Sequence, residues 1–163
     1  MTRALTILTF LLLTTCKVFG QIDTTFKKAD HYKTKQYDVA IFPSNYYDLI
    51  PGQRFTPTKQ EVDQAEISLA TNLKTLNSPL VNQSSTPIIH KNLHKYKRQY
   101  FGYIDKNGDR ILLINCFWSE DKDYIDSWLT GRIMVLDGGS YYWNVKFNLD
   151  KRKLFDLDVN GYA

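Results

Sequence analysis

"RQYFGYIDKNGDRILLINCFW", residues 98–118, sets the architecture of the chain. Two apolar and aromatic runs flank a short polar stretch centred on Asn107-Gly108. Asn-Gly is the favoured pair for a two-residue type I′ hairpin turn, because both of its central residues need φ > 0. That turn sets a register in which Ile104 faces Ile111, Tyr103 faces Leu112, Phe101 faces Ile114, and Asp105 faces Arg110. Ile111 to Phe117 is apolar on both of its faces, as expected for a strand in the middle of a sheet.

Downstream, "RIMVL" (132–136) leads through Gly138-Gly139 into "YYWNVKFNL" (141–149), a second expected hairpin. A third joins that strand to "KLFDLDVNGYA" (153–163) through Asp150-Lys151-Arg152. Trp143, Val145 and Phe147 alternate on one strand, and Phe155, Leu157 and Val159 on the other. Both sets share a face only if Phe147 opposes Phe155, Val145 opposes Leu157 and Trp143 opposes Val159. The same register aligns a polar row on the opposite face: Lys146 with Asp156, Asn144 with Asp158, Tyr142 with Asn160.

Upstream, "TPTKQEVDQAEISLATNLKTLNSP" (56–79) carries the helix. Thr58 and Glu61 form a capping box, in which each side chain satisfies a backbone N–H that the first turn leaves free. Val62, Ala65, Leu69, Leu73 and Leu76 make one apolar stripe, and Asn77, Ser78 and Pro79 end it. "YDVAIFP" (37–43) reads as a short extended piece, and residues 44–57 as loop. One long helix followed by an antiparallel meander defines an α+β fold, with the helix packed across a curved sheet of four or five strands. Its expected core includes Leu69, Leu73, Leu112, Ile114, Val145, Phe147, Leu157 and Val159.

Residues 1–20 have the form of a secretory signal peptide: Arg3, an apolar run from Ala4 to Thr15 shorter than the ~20 residues that span a bilayer, then Val18 and Gly20 at a cleavage site. The expected location is periplasmic or secreted. Cys16 offers a lesser alternative, a lipid anchor, against which Thr15 stands where a lipobox wants Gly, Ala or Ser. Residues 21–36 are polar and aperiodic, an expected mobile lead-in, and residues 37–163 form a single domain. Arg3 and Lys17 account for part of the formal net charge of +4, so the remaining chain is nearly balanced and gives no sign of nucleic-acid binding. Cys116 is the one cysteine beyond the leader and reads as a small buried hydrophobe, not a nucleophile.

Chemistry-bearing patterns are sparse. Asp156-x-Asp158-x-Asn160-Gly161 matches the first half of a calcium loop, but the required bidentate Glu has no counterpart, and the strand register accounts for the spacing. His90 and His94, four apart in "HKNLHKYKR" (90–98), lie in what reads as a linker behind Pro87. The basic and aromatic residues beside them read as a charged strand entry that discourages edge pairing. No nucleophile elbow, phosphate loop, dinucleotide fingerprint or C-x-x-C motif is present. The sequence points to no metal, no cofactor and no catalytic residue.

"YKRQYFGYIDKNGDRILLINCFW" (96–118), "DGGSYYWNVKFNLDKRKLFDLDVNGYA" (137–163) and the helix start "FTPTKQEVDQAE" (55–66) resemble a group of small exported proteins of Bacteroidetes-type bacteria. That resemblance implies an envelope or secreted location and carries no activity. The helix-then-meander layout is similar to a cystatin-like one in topology alone. The leading functional expectation is an exported, non-enzymatic interaction module whose protein partner meets Tyr124 and Trp128 in "EDKDYIDSW" (120–128). The alternative is a small-polar-ligand binder or enzyme using Tyr142, Asn144, Asp156 and Asp158 on the polar sheet face. A third is an immunity or inhibitor protein.

Overall fold

Thr58 and Glu61 cap the helix as the sequence requires. The Glu61 amide donates to Thr58 Oγ1 (3.3 Å) and the Thr58 amide to Glu61 Oε2 (2.9 Å). In the computed structural model, which describes residues 28–46, 48–120 and 126–162, the helix α1 runs Lys59–Leu76 with Asn77 as its C-cap. Its buried face holds Val62, Ala65, Leu69 and Leu73, and also Glu66 and Ser68. Three strands precede it: β1 (Asp30–Lys33), β2 (Asp38–Ile41) and β3 (Arg54–Phe55). Four follow: β4 (Tyr96–Ile104), β5 (Arg110–Trp118), β6 (Tyr142–Asn148) and β7 (Lys153–Val159). Among the described residues no helix is long and apolar enough to cross a membrane.

All seven strands belong to one sheet, ordered β1-β2-β4-β5-β6-β7, with β3 also on β4. The architecture is α+β as expected, but the sheet is larger than four or five strands. Every pairing is antiparallel except β2 with β4. β5 covers the whole of β4, so β4's other edge is shared by β2 near its start and β3 near its end. Gly102 admits β3: a Cβ there would lie 2.6 Å from the Phe55 carbonyl oxygen. Asp30–Lys33, inside the expected lead-in, is an edge strand. Three of its four residues are exposed, so it carries no apolar alternation for a sequence reading to find.

Strand alternation divides the core in two. On the α1 side lie Val39, Ile41, Tyr96, Tyr100, Leu112, Ile114, Cys116, Trp143, Val145, Phe147, Leu154 and Val159. On the far side lie Ala40, Phe42, Phe101, Tyr103, Ile111, Leu113 and Phe117, covered by loops that bring Ile50, Trp128 and Ile133. The expected core falls in the first cluster, with Leu157 half-buried at its margin. β5 is apolar on both faces because both faces are covered.

Two registers differ from the sequence reading. In the β4–β5 hairpin Tyr103 faces Ile111, Phe101 faces Leu113, and Ile104 faces Arg110, one residue away from the I′ register. Only Gly108 has a positive φ (86°) at this turn. The Asp105 carboxylate decides the turn: it accepts from the amides of Asn107 (2.8 Å) and Asp109 (3.0 Å), wrapping three residues between Asp105 and Asp109. Arg110 consequently leaves Asp105, pairs with Glu61 at 2.5 Å, and lies over the Phe55 ring.

In β6–β7, Trp143 faces Val159 and Asn144 faces Asp158 as expected, but nearer the turn Lys146 faces Phe155 and Phe147 faces Leu154. A bulge at Asp156, with φ of 54°, absorbs the extra residue. Leu154 takes the core place expected for Phe155, which turns to the far side.

The expected hairpin between residues 132–136 and β6 does not form; β5 pairs with β6 directly. Residues 126–137 instead cross the far face, held by side-chain amides. Gln99 Nε2 donates to the carbonyls of Trp128 and Gly131 (both 2.7 Å), and Gln99 Oε1 accepts from the Ile133 amide (2.8 Å). Asn115 Nδ2 donates to the Ile133 carbonyl (2.8 Å), and Asn160 Nδ2 to those of Val135 and Asp137.

Candidate functional site

β4 alternates Tyr96, Arg98 and Tyr100 toward α1, and all three are buried. An arginine therefore stands in line with two aromatic core residues. It is 1 % exposed, and the helix sets Glu66, 6 % exposed, against it. Glu66 lies one turn beyond Val62 and three residues before Leu69, so it occupies the apolar stripe itself.

The pair is incompletely bonded. Arg98 Nε sits 3.4 Å from Glu66 Oε1. Nη2 donates to the Leu93 carbonyl at 2.6 Å, while Nε and Nη1 have no hydrogen-bond partner among the described residues. Glu66 Oε1 accepts from the Tyr100 hydroxyl at 2.7 Å. Burial raises the Glu66 carboxyl above its ordinary range, opposed by the Arg98 charge and the Tyr100 bond. The Tyr100 phenol is also raised, first by burial and then by Glu66.

Arg98 and Glu66 line a cleft of about 860 Å³. One wall is α1, with Asp63, Ile67, Ala70 and Thr71; another is the β1–β2 turn, with Lys35 and Tyr37; a third carries His90, Lys91, Leu93 and His94. That third wall is the segment expected to be a solvated linker. It is two 3₁₀ turns, Ile89–Lys91 and Leu93–Lys95. The helix C-cap braces it: Asn77 and Gln83 exchange amide hydrogen bonds, Gln83 Oε1 accepts from the Ile89 amide (2.9 Å), and Asn77 Nδ2 donates to His90 Nδ1 (3.1 Å). An amide donor at Nδ1 leaves the neutral ring's proton on Nε2. Burial, then Lys91 and Lys74, lowers the His90 pKa.

The Asp63 carboxylate is occupied: Tyr32 Oη donates to it at 3.0 Å and Tyr37 Oη donates to the same oxygen. Burial and that carboxylate push the Tyr37 phenol up. Leaving the two histidines aside, Lys35, Lys91 and Arg98 outnumber Asp63 and Glu66, so the cleft carries an excess positive charge.

The residues singled out from sequence lie elsewhere. Tyr142, Asn144 and Asp158 line a second cleft, of about 400 Å³, on the far side of the sheet. Asn144 Nδ2 donates to Asp158 Oδ2 (3.3 Å). Asp156 is not with them; it stands at the bulge, exposed and paired with Lys146. Asn160 of the expected polar row, together with the neighbouring Asn115, holds the crossing chain, so that member of the row serves the fold. Tyr124 lies outside the described residues. Trp128, expected as a partner contact, is 3 % exposed. Its ring packs edge-on to Phe117 and His31 and lies under Lys97 Nζ at 4.2 Å. An indole held on several sides in a core is not a surface contact. Cys116 is buried, and burial raises its thiol pKa. Among the described residues no group of three or more His, Cys, Asp and Glu is placed to hold a metal ion.

The cleft residues had weak signals in the sequence. Arg98 falls at period two between Tyr96 and Tyr100, and Glu66 falls within the stripe of α1. Each looks like an ordinary surface charge unless its neighbours' faces are assigned first. No family model, curated protein or solved structure matches this chain.

Proposed function

We propose that the protein is an exported, non-catalytic binding module that seats a small polar molecule in the cleft between α1 and the two 3₁₀ turns. The observation that carries this reading is Arg98: a guanidinium buried to 1 % exposure, beside a cavity, with two nitrogens lacking hydrogen-bond partners. Buried polar groups are bonded as a rule, so an unmet donor beside a cavity of ligand size supports a missing partner there. Non-catalytic action is supported by the engagement of the titratable groups. Glu66 is bound by Tyr100, Asp63 by two tyrosines, and the His90 Nδ1 lone pair by Asn77. Export is supported by the leader-like composition of residues 1–20.

The test is thermal melting of the protein against a defined set of amino acids, sugars, short carboxylic acids, phosphate esters and amines. At least one compound should raise Tm in the wild type and lose most of that effect in Arg98→Lys. No shift with any compound overturns the reading. So does turnover of the bound compound, which would make the cleft an active site.

A further inference from the structure

We infer that the ligand of this cleft is a small amphipathic anion whose carboxylate or phosphate binds Arg98, and that Glu66 receives a proton from solvent as it binds. The inference rests on the reading of the cleft as a small-molecule site and adds the chemistry of the molecule.

Three observations carry it. The first is the sign of the unmet groups. Arg98 Nε and Nη1 are donors only, and Glu66 at 3.4 Å is not aligned to accept from them. An anion oxygen adds to these bonds a Coulombic attraction to the guanidinium, and a bidentate geometry, that a neutral acceptor lacks. The second is the surroundings. Lys35 and Lys91 stand on two different walls, while Asp63, the other carboxylate, is bonded to Tyr32 and Tyr37. The third is the apolar part of the lining: half-buried Leu93, and on the α1 wall the exposed Ala70 and Ile67, the latter at 65 % exposure. An organic group attached to the anion would cover that isoleucine.

Proton uptake follows from geometry. An anion on Arg98 comes within a few ångströms of Glu66, and two anions then share one buried cation. Like charges this close cannot both stay ionised without a large cost, and the buried carboxyl yields. Protonated Glu66 keeps Tyr100 on Oε1 and gains a donor. The groups facing Glu66 are Arg98 and Tyr100 from β4, Asp63 from α1 and Cys116 from β5. Across the cleft are Lys35, Tyr37, His90, Lys91 and His94. Cys116 and the tyrosines stay neutral at physiological pH, so Glu66 is the carboxyl best placed to accept the proton.

The experiment is isothermal titration of the purified protein with four probes sharing a hexyl chain: hexanoate, hexyl phosphate, hexanol and hexyltrimethylammonium. Either anion should bind at least about tenfold more tightly than hexanol, and the ammonium should not bind. The preferred anion separates a carboxylate ligand from a phosphate one. Repeating the titration in two buffers of different ionisation enthalpy should reveal net proton uptake, with affinity falling as pH rises. Glu66→Gln should keep anion binding and abolish the uptake; Arg98→Lys should weaken the anions and leave hexanol unchanged. Anions no better than hexanol overturn the anion assignment, and so does failure of all four probes. In either case a neutral or cationic hit in the melting set leaves the small-molecule reading standing. Anion binding without proton uptake, or uptake that persists in Glu66→Gln, overturns the role of Glu66. The wild-type measurements decide the matter even if a variant fails to fold.

Discussion

The two faces of the sheet are covered in different ways. Over one lies α1, whose stripe of Val62, Ala65, Leu69 and Leu73 repeats at helical spacing. Over the other lies aperiodic chain, tied down by the amides of Gln99, Asn115 and Asn160. The first face is held chiefly by apolar area, which is non-directional and tolerant. The second depends on a few directional bonds to backbone groups, each costly to leave unmet. The contrast teaches where each kind of damage should appear.

The largest effect should come on the α1 face. Phe147→Ala removes a fully buried ring from the helix-side core and should cost about 3–5 kcal/mol. Urea unfolding should show the loss, and hydrogen exchange should speed up throughout the sheet and α1 together. On the far face, Gln99→Leu keeps the volume but strands the carbonyls of Trp128 and Gly131 and the amide of Ile133. It should cost about 2–4 kcal/mol. Exchange should rise first in residues 126–137, with α1 still protected. Equal loosening of both faces by Gln99→Leu would erase the contrast.

The same contrast explains what the sequence made legible. Helical and strand periodicity revealed α1, its capping box, the central place of β5 and most of the α1-side core, because those elements are held by repeating apolar contacts. It could not reveal β1, whose exposed residues leave no pattern, nor the far-face crossing, whose anchors are single amides distant in sequence. The turn at Asp105–Asp109 went astray for a local reason: a carboxylate accepting two amides outweighed the preference of Asn-Gly. Arg98 and Glu66 were hidden because burial reverses the usual meaning of a charged residue, and burial is known only once the faces are assigned. The polar row of β6 and β7 was legible as a row, but its use was not: part lines the far cleft and part braces the chain.

A smaller effect sharpens the comparison from within the α1 face, at the buried charges of Glu66 and Arg98. The folded Glu66 carboxyl titrates above its unfolded value, so the folded state holds this proton more tightly. Its contribution to stability is fully present below the unfolded carboxylate range and is lost as pH rises through the folded value. The difference in urea midpoint between wild type and Glu66→Gln should therefore move against the wild type from about pH 4 to about pH 8. A difference that moves in the wild type's favour over that range would mean that Arg98 outweighs burial and holds the Glu66 carboxyl below its unfolded value.

The smallest expected effect lies where one strand serves both faces. β7 sends Leu154, Leu157 and Val159 toward α1 and Phe155 to the far side. Leu154 and Leu157 are three apart, an odd spacing that strict alternation cannot place on one face. Asp156, at φ of 54°, absorbs the mismatch. Deleting Asp156 would leave Leu154, Phe155, Leu157, Asp158 and Val159 in regular alternation, with every apolar side chain on its present face. The left-handed backbone at a non-glycine residue, worth about 1–2 kcal/mol, would be relieved, while the exposed Lys146 pair is worth less than about 1 kcal/mol. The deletion should therefore change stability by under about 1 kcal/mol. Deleting Asp158 removes one residue from the same strand but turns Val159 to the wrong face, and should cost about 2 kcal/mol or more. Comparable losses from the two deletions would show that the bulge is required in its own right, and that β7 is not an alternating strand carrying one additional residue.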